Sequence, residues 1–268
     1  MSDPTAINIA GDGDPGEPNA EQWGRGEAVD LYAGERLRAV EQVILENQRL
    51  ALAGRVLELG CGAGRITGHL GTMSGDVHGI DISAAMVEHC RSAYPNLKFT
   101  VADLRDLAAV AEGPYDAIVA GFNVLDVLGE EERVRVLADI RGLLADGGVL
   151  IMSSHNRSYM ETARARARVL VRLLIGSPAG PSPRALVRRL ANRRRLRRLE
   201  HDAPGYALIN DEAHDFSLLH YYISRDEQAR QLSACGFDLL ECRDLAGEPV
   251  GDGELAAGCP ELHYVARR

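Results

Sequence analysis

Lysine is nearly missing from this chain. Of its 30 basic residues only Lys98 is a lysine, and the other 29 are arginine, a bias that genome composition alone can produce. Cysteine is scarce too. The five (Cys61, Cys90, Cys235, Cys242 and Cys259) are odd in number and form no C-x-x-C. That argues against a disulfide framework or a zinc site and for reduced thiols in a cytoplasmic protein. No apolar run reaches the roughly 18 residues that a membrane span needs. The first 20 residues, MSDPTAINIAGDGDPGEPNA, have neither the basic start nor the apolar centre of a signal peptide, and their acidic, Gly/Pro-rich composition predicts a disordered tail. A net charge of -9 argues against general affinity for nucleic acid or anionic membrane. No G-x-x-x-x-G-K-[ST] occurs, so a P-loop is excluded.

What is present is an ordinary globular composition, 46% hydrophobic and 26% charged over 268 residues. The length suits one sizeable core with an elaboration, or two small domains. Apolar spacing predicts a helix over about 27–52. Strand and helix patterns then alternate: RVLELG, AGRITGHLGTM, DVHGID, SAAMVEHCRSAY with Ser83 as N-cap, KFTVAD, YDAIVAGF, the helix GEEERVRVLADIRGLLADGG closed by Gly147 and Gly148, and VLIMSS. Such alternation predicts an α/β fold, a doubly wound parallel sheet with helices on both faces. It breaks at 157–215, where two Arg-rich helical patterns flank GSPAGPSP. Near 216–223 the chain reads as extended. Ser224 and Glu227 form a capping box for a helix to about Cys235, and FDLLECRDL and LHYVARR read as closing strands. The expected organisation is a tail over 1–20, one domain over 21–156 and 216–268, and an Arg-rich helical lid inserted over 157–215.

The stretch VLELGCGAGR, residues 56–65, places Gly60, Gly62 and Gly64 at alternate positions straight after a buried strand. Glycine permits φ > 0 and leaves room for a ligand at the helix N-terminus that follows. The dinucleotide fingerprint G-x-G-x-x-G fails, because its third glycine would fall on Arg65 or Thr67. The pattern is instead acidic-x-G-x-G-x-G, with Glu58 inside the strand. With ELGCGAG, GIDIS, VADL, YDAIVAGFNVLDVL and LLADGGVLIMS in order, the chain resembles the class I S-adenosylmethionine-dependent methyltransferases over about residues 50–156.

That resemblance implies a Rossmann-like, seven-stranded, mostly parallel sheet, S-adenosylmethionine as cofactor and S-adenosylhomocysteine as product. It places Asp81 against the ribose hydroxyls and Asp103 against the adenine amino group. An acid about 20 residues past the glycine loop is the usual ribose reader. The competing readings are a turn or N-cap acid for each. Glu58 faces either the ligand's ammonium or backbone N–H groups of the loop. Cys61, Ile82, Leu104, Gly121 and Phe122 complete the implied cofactor-binding set. By position and chemistry, Tyr32 and Arg36 fold over the ligand and pair with its carboxylate.

Ligands of open α/β sheets bind outside the carboxyl ends of the strands. The order of elements brings Asn123, His155, Asn156, His220, Tyr221 and Tyr222 to that edge as candidate substrate contacts. His155 or His220 is the candidate base or hydrogen-bond partner of the acceptor, against the alternative of an ordinary structural histidine. Tyr221 and Tyr222 should face opposite sides of an extended segment. The acids and His214 of NDEAHD match no metal-ligand spacing, so no metal is assigned. Twelve arginines and no acid lie between Thr162 and Leu199. They read as a solvated lid face, or as a surface for an anionic substrate or carrier partner ahead of nucleic acid or an interfacial membrane helix.

The expected function is methyl transfer to N or O of a small-molecule substrate. The alternatives are methylation of RNA, a protein or a carrier-bound intermediate, or a cofactor-binding module without transfer. A homodimer is left open as the oligomeric form.

Overall fold

A short run of four buried residues, Val56–Leu59, forms strand β1 at the centre of the sheet. Apolar side chains on both faces are what a parallel strand covered by helices on each side requires. The computed structural model describes residues 19, 36–162, 167, 171 and 183–268. β2 (Val77–Asp81) and β3 (Lys98–Val101) lie on one side of β1. β4 (Tyr115–Ala120) and β5 (Leu144–Asn156) lie on the other. All five are parallel, with Val56 opposite Val77 and Ala117. The alternation between faces builds two cores. Leu57, Leu59, Ile118 and Leu150 pack on one side with Val136, Leu137 and Ile140. Val56, Val77, Val119 and Ile151 pack on the other with Ile44 and Leu70.

The helices follow the sequence reading with changed ends. α1 (Ala39–Asn47) and α2 (Arg49–Leu52) account for the second half of the helix expected over 27–52, and residues 27–35 lie outside the described residues. α3 (Thr67–Met73) follows β1. α4 (Ala84–Ala93) follows β2, with the Ser83 hydroxyl accepting from the Met86 N–H at its N-terminus. α5 (Leu107–Val110) follows β3. α6 (Glu130–Leu143) follows β4 and stops short of the two glycines, because β5 begins at Leu144 and takes up the turn containing Gly147.

Past β5 and the one-turn helix α7 (Arg157–Met160), the expectation of an all-helical insertion needs correction. Residues 157–215 do hold an Arg-rich helix, α8 (Pro183–Leu196), but they also hold β6 (His201–Asp202) and β7 (Tyr206–Ile209). These pair antiparallel in the order β6, β7, β8 (His220–Ile223). β8 in turn lies parallel to the tip of β5, His155 opposite Tyr222 and Asn156 opposite Ile223. It can do so because β4 accompanies β5 only as far as Met152, and the freed backbone groups of β5 need partners. The closing helix α9 (Arg225–Ala234) is capped by Ser224, which accepts from the Glu227 N–H at 3.4 Å. β9 (Asp238–Arg243) and β10 (Glu261–Arg267) follow, β10 running antiparallel to β5. The sheet thus has ten strands: the seven expected (β1–β5, β9 and β10) and a three-strand extension above their carboxyl edge.

The expected tail over 1–20 lies outside the described residues except for Asn19, and Asn19 does not behave as a free tail. It is buried, its Nδ2 donates to the carbonyls of Val127 and Leu219 at 2.7 Å, and its Oδ1 accepts from the Leu219 N–H. The segment GSPAGPSP between the two expected helical patterns lies outside the described residues up to Ser182.

Candidate functional site

The loop after β1 turns through three left-handed glycines, with φ of 64° at Gly60, 53° at Gly62 and 85° at Gly64. Their reasons differ. A Cβ on Gly60 would run into the Val124 side chain, and one on Gly64 into Tyr94 and the Cys90 sulfur, so these two are closed by the protein's own packing. A Cβ on Gly62 meets nothing within 4 Å, so the open side of the loop is at Gly62. Side chains of α4 hold the loop from behind. The Cys90 thiol reaches the Gly62 carbonyl at 3.1 Å and the Tyr94 hydroxyl the Gly64 carbonyl at 3.2 Å. Cys61 itself is buried and its N–H continues the ladder onto Ile80.

Asp81 ends β2 beside this loop. Its Oδ2 accepts from the Gly62 N–H at 2.8 Å and its Oδ1 from the Ser83 N–H at 2.8 Å. Both oxygens are fixed by backbone donors, with further lone pairs available. Burial nonetheless pushes its pKa up. Ile82, half-buried, follows it in the chain. Glu58 is buried beneath the loop, and its partner is the Thr67 hydroxyl rather than a loop N–H. Burial pushes its carboxyl up to about 8, with the Thr67 hydrogen bond and the Arg65 charge opposing. Asp103 caps the turn after β3, accepting from the Arg105 N–H and pairing with its guanidinium through both oxygens. Burial would raise its pKa, but Arg105 outweighs it and the pKa falls. Its turn role is therefore visible directly, and Leu104 beside it packs into the core.

At the end of β4, Gly121 leads into two consecutive non-glycine residues with φ > 0, Phe122 at 56° and Asn123 at 58°. Strain of this kind costs of order 1–3 kcal/mol per residue and gathers at functional sites. Phe122 is 38% exposed, with the guanidinium of Arg38 4.5 Å and that of Arg65 5.1 Å from its ring centre. Arg65 also pairs with the buried Glu41. Arg38, not Arg36, is the basic residue engaged here, pairing with Glu261. Arg36 is exposed and lends its carbonyl to Arg65. Tyr32 lies outside the described residues.

Asn123 joins this region to the tip of β5. Its Nδ2 lies 3.1 Å from Glu261 and 3.4 Å from His155 Nε2. His155 is held from the other side by Asp126, whose Oδ2 accepts from both the backbone N–H and Nδ1 at 2.7 Å. An ionised carboxylate only accepts, so Nδ1 carries the proton and Nε2 keeps its lone pair. Asp126 is fully buried and paired with the equally buried Arg133 at 2.7 Å. Burial would raise the Asp126 pKa, but Arg133 and His155 bring it down. Burial would lower the His155 pKa, but Asp126 raises it. Arg133 spends its other donors on Ser154, Gln228 and Gln231 and lies 4.5 Å from the centre of the Tyr221 ring.

His220 and Tyr222 share a face of β8 and come to His155, with ring centres 4.9 and 4.8 Å from it. Both bind Asp211: His220 Nδ1 at 2.8 Å and the Tyr222 hydroxyl at 2.6 Å. Tyr221 goes elsewhere. It is buried on the opposite face, stacked on Tyr206, and its hydroxyl donates to Glu130. As a substrate contact it is corrected to a core residue, since neighbours on a strand face opposite ways. Asn156 is also corrected. Its Nδ2 donates to the carbonyls of Leu255, Ala256 and Cys259 and its Oδ1 caps α7 through the Ser158 N–H, so the whole amide ties down backbone.

The structure thus brings together Gly60, Gly62, Glu58 and Asp81 at one end and Asn123, His155, His220 and Tyr222 at the other, with Phe122 between. The sequence reading missed Asp126, Arg133, Glu261 and Arg38, and weighed Asp211 only as one of the acids of NDEAHD, without its partners. Asp126 left a local signal, an acid within the apolar run VLDVL. Of the arginine run, Arg188 and Arg189 pair with Asp215 and Arg193 with Glu200, while Arg184, Arg194, Arg195, Arg197 and Arg198 are exposed. Arg164, Arg166, Arg168 and Arg172 lie outside the described residues. Among the described residues no helix is long and apolar enough to cross a membrane.

Residues 56–148 match a protein family described as a methyltransferase domain. A ubiquinone biosynthesis O-methyltransferase of Xanthomonas euvesicatoria is 31% identical over 147 residues, 52% of this chain and 60% of that protein. A trans-aconitate 2-methyltransferase of Delftia acidovorans is 32% identical over 141 residues, 52% of this chain and 51% of that one. The chain therefore spans about half the length of these curated relatives. Among solved structures, the 1,6-didemethyltoxoflavin-N1-methyltransferase of Burkholderia thailandensis, holding S-adenosylhomocysteine, superposes with a TM-score of 0.56 at 16% identity over 94% of this chain and 86% of that one. At that identity the likeness speaks for the fold.

Proposed function

We propose that this chain, which carries a domain of the class I S-adenosylmethionine-dependent methyltransferase superfamily, transfers a methyl group to a nitrogen or oxygen of a small-molecule acceptor bound beside the paired ends of β5 and β8. The observation that carries the reading is the pairing of an open glycine bend beside a backbone-held acid with a carboxylate-braced histidine across Phe122. The donor set suits the cofactor: open space at Gly62, acceptor oxygens on Asp81 for a ribose diol, and a buried acid in Glu58 that a cationic ligand would ionise. Asp103 is the candidate for the adenine amino group, in competition with its pairing to Arg105. When bound, the sulfonium supplies a methyl group already activated for displacement.

The chain's own task is then alignment. Asn123, His155, His220 and Tyr222 form the acceptor side. His155 Nε2, with its proton kept on Nδ1 by Asp126, accepts a hydrogen bond from the acceptor's N–H or O–H and orients its lone pair. The name of one sequence relative, an O-methyltransferase, supports an oxygen acceptor.

The first experiment is calorimetric titration of the purified chain with S-adenosylmethionine beside Asp81→Ala. Micromolar binding by the wild type, weakened about 10- to 100-fold in the variant, is expected, as loss of hydrogen bonds to a ligand diol costs roughly 1.5–3 kcal/mol. A well-folded wild type that gives no heat overturns the reading. Binding with no S-adenosylhomocysteine formed from any metabolite extract would reduce the protein to a binding module. Loss of the acceptor fraction on ribonuclease treatment would make the substrate an RNA.

A further inference from the structure

Three side chains of the acceptor side form a group of their own. One ring nitrogen of His155, one of His220 and one carboxylate oxygen of Asp211 all lie within 4.8 Å of one another. They come from three places in the chain, the tip of β5, the start of β8 and the segment between β7 and β8. The last two are nearly shut off from solvent, while the His155 side chain is 20% exposed. We propose that His155, His220 and Asp211 bind a divalent first-row transition ion of the zinc type, with one position left for an oxygen of the acceptor. The proposal rests on the reading of this edge as the acceptor side, and in it the ion takes the Nε2 lone pair of His155 and meets the acceptor in place of a direct hydrogen bond from that nitrogen.

Two imidazoles and one carboxylate are a donor set suited to such ions, and three protein ligands with an open fourth position mark sites that act on a substrate. The bracing is the second argument. Ligand histidines characteristically donate their other ring N–H to a carboxylate. His155 does so to Asp126 at 2.7 Å, which leaves Nε2 to bind. Asp126 is in turn locked by Arg133 and Ser154. Asp211 is held by the Ala213 N–H at 2.9 Å on one oxygen and by the Tyr222 hydroxyl on the other. His220 Nδ1 and Asp211 Oδ2, 2.8 Å apart, share a proton whose place an ion can take. Neighbouring ligands of a tetrahedral ion with bonds of about 2.0 Å are about 3.3 Å apart. Binding would have to draw the three ligand atoms, now within 4.8 Å of one another, together by up to about 1.5 Å. Asn123 adds a third sign: its buried Oδ1 has no hydrogen-bond partner among the described residues, while its Nδ2 lies 3.4 Å from His155 Nε2.

An ion here narrows the acceptor class to a compound with an oxygen donor at or next to the reacting atom. Coordination would help a hydroxyl lose its proton to solvent. The oxygen lone pair then forms the new bond to the methyl carbon, and the carbon–sulfur pair of the sulfonium stays on sulfur as the neutral thioether.

The test uses the full chain, stripped with chelator and freed of any affinity tag, titrated with Co²⁺ followed by its visible absorption and with Zn²⁺ by calorimetry. Neither S-adenosylmethionine nor an acceptor is present, so a failure here is separate from a failure of the methyltransferase reading. One equivalent should bind the wild type, and His201→Ala, on the exposed strand β6, should bind as well as wild type. His220→Ala and Asp211→Asn should each bind at least about 10- to 100-fold more weakly. X-ray absorption of the wild-type Co²⁺ complex should count two imidazoles, which decides the matter even if a variant fails to fold. No stoichiometric binding, a complex with fewer than two imidazoles, or undiminished binding in both folded variants would overturn the proposal.

Discussion

Around the glycine loop the groups proposed to face the cofactor are held by backbone: Asp81 by the N–H groups of Gly62 and Ser83, and the loop itself by three residues in left-handed conformations. Around His155 the holding is done by side chains, a buried chain of contacts from Arg133 through Asp126 to the imidazole, with Asp211 and Tyr222 beyond. The first arrangement is local, spanning residues about 20 apart. The second joins residues from β5, β8, α6 and α9. A backbone-held site suits a ligand whose shape is constant, while a site made of side chains on an inserted extension can change with the acceptor. The difference also predicts how each half fails.

The largest effect is expected in the acceptor half. Arg133→Ala leaves Asp126 as a buried charge without its guanidinium, and such losses cost about 3–5 kcal/mol. Urea unfolding should show that loss. A change below about 1 kcal/mol would mean that the network is not held by this pair. Next comes Glu58, an acid buried under the glycine loop. Its carboxyl stands at about 8 in the folded chain against an ordinary 4.5. Between those values the folded chain keeps a proton that the unfolded chain has lost. Stability should therefore fall as pH rises across that window, by up to about 1.4 kcal/mol per pH unit. Glu58→Gln should flatten the dependence. An unchanged slope in the variant would show that another group is responsible.

The smallest effect separates the glycines themselves. Gly62→Ala should cost about 1 kcal/mol, the left-handed conformation alone, because its new methyl enters open space. Gly60→Ala meets Val124 as well and should cost about 1–3 kcal/mol more. Equal losses in denaturant unfolding would remove the distinction between a packed glycine and an open one. Cofactor affinity, measured on the same proteins, should be the property that Gly62→Ala damages most.

The two halves were unequally legible in the sequence. The parallel core, Ser83, Ser224, the glycine bend and the place of Asp81 follow from local signals: apolar runs four to six residues long, capping side chains, and glycines where the chain must turn left. His155, His220 and Tyr222 could be brought to the edge by counting elements, and the alternation of a strand separated Tyr222 from Tyr221. The strands β6 and β7 lie just past the arginine run and are two and four residues long, too short to leave an alternating pattern in the sequence. Asn156 looked like a site residue because amides are common in sites. Its partners, the carbonyls of residues 255, 256 and 259, are about 100 positions away.

By itself the sequence determined the order of strands and helices as far as the end of β5, the left-handed bend and the acid beside it, because each depends on the chemistry of a few consecutive residues. Only the tertiary structure decided which acids became partners of histidine. Asp126 meets His155 across 29 residues and Asn123 meets Glu261 across 138. The physical reason is that a carboxylate can be buried only where a donor or a cation arrives to receive it, and that arrival is settled by packing of elements distant in the chain.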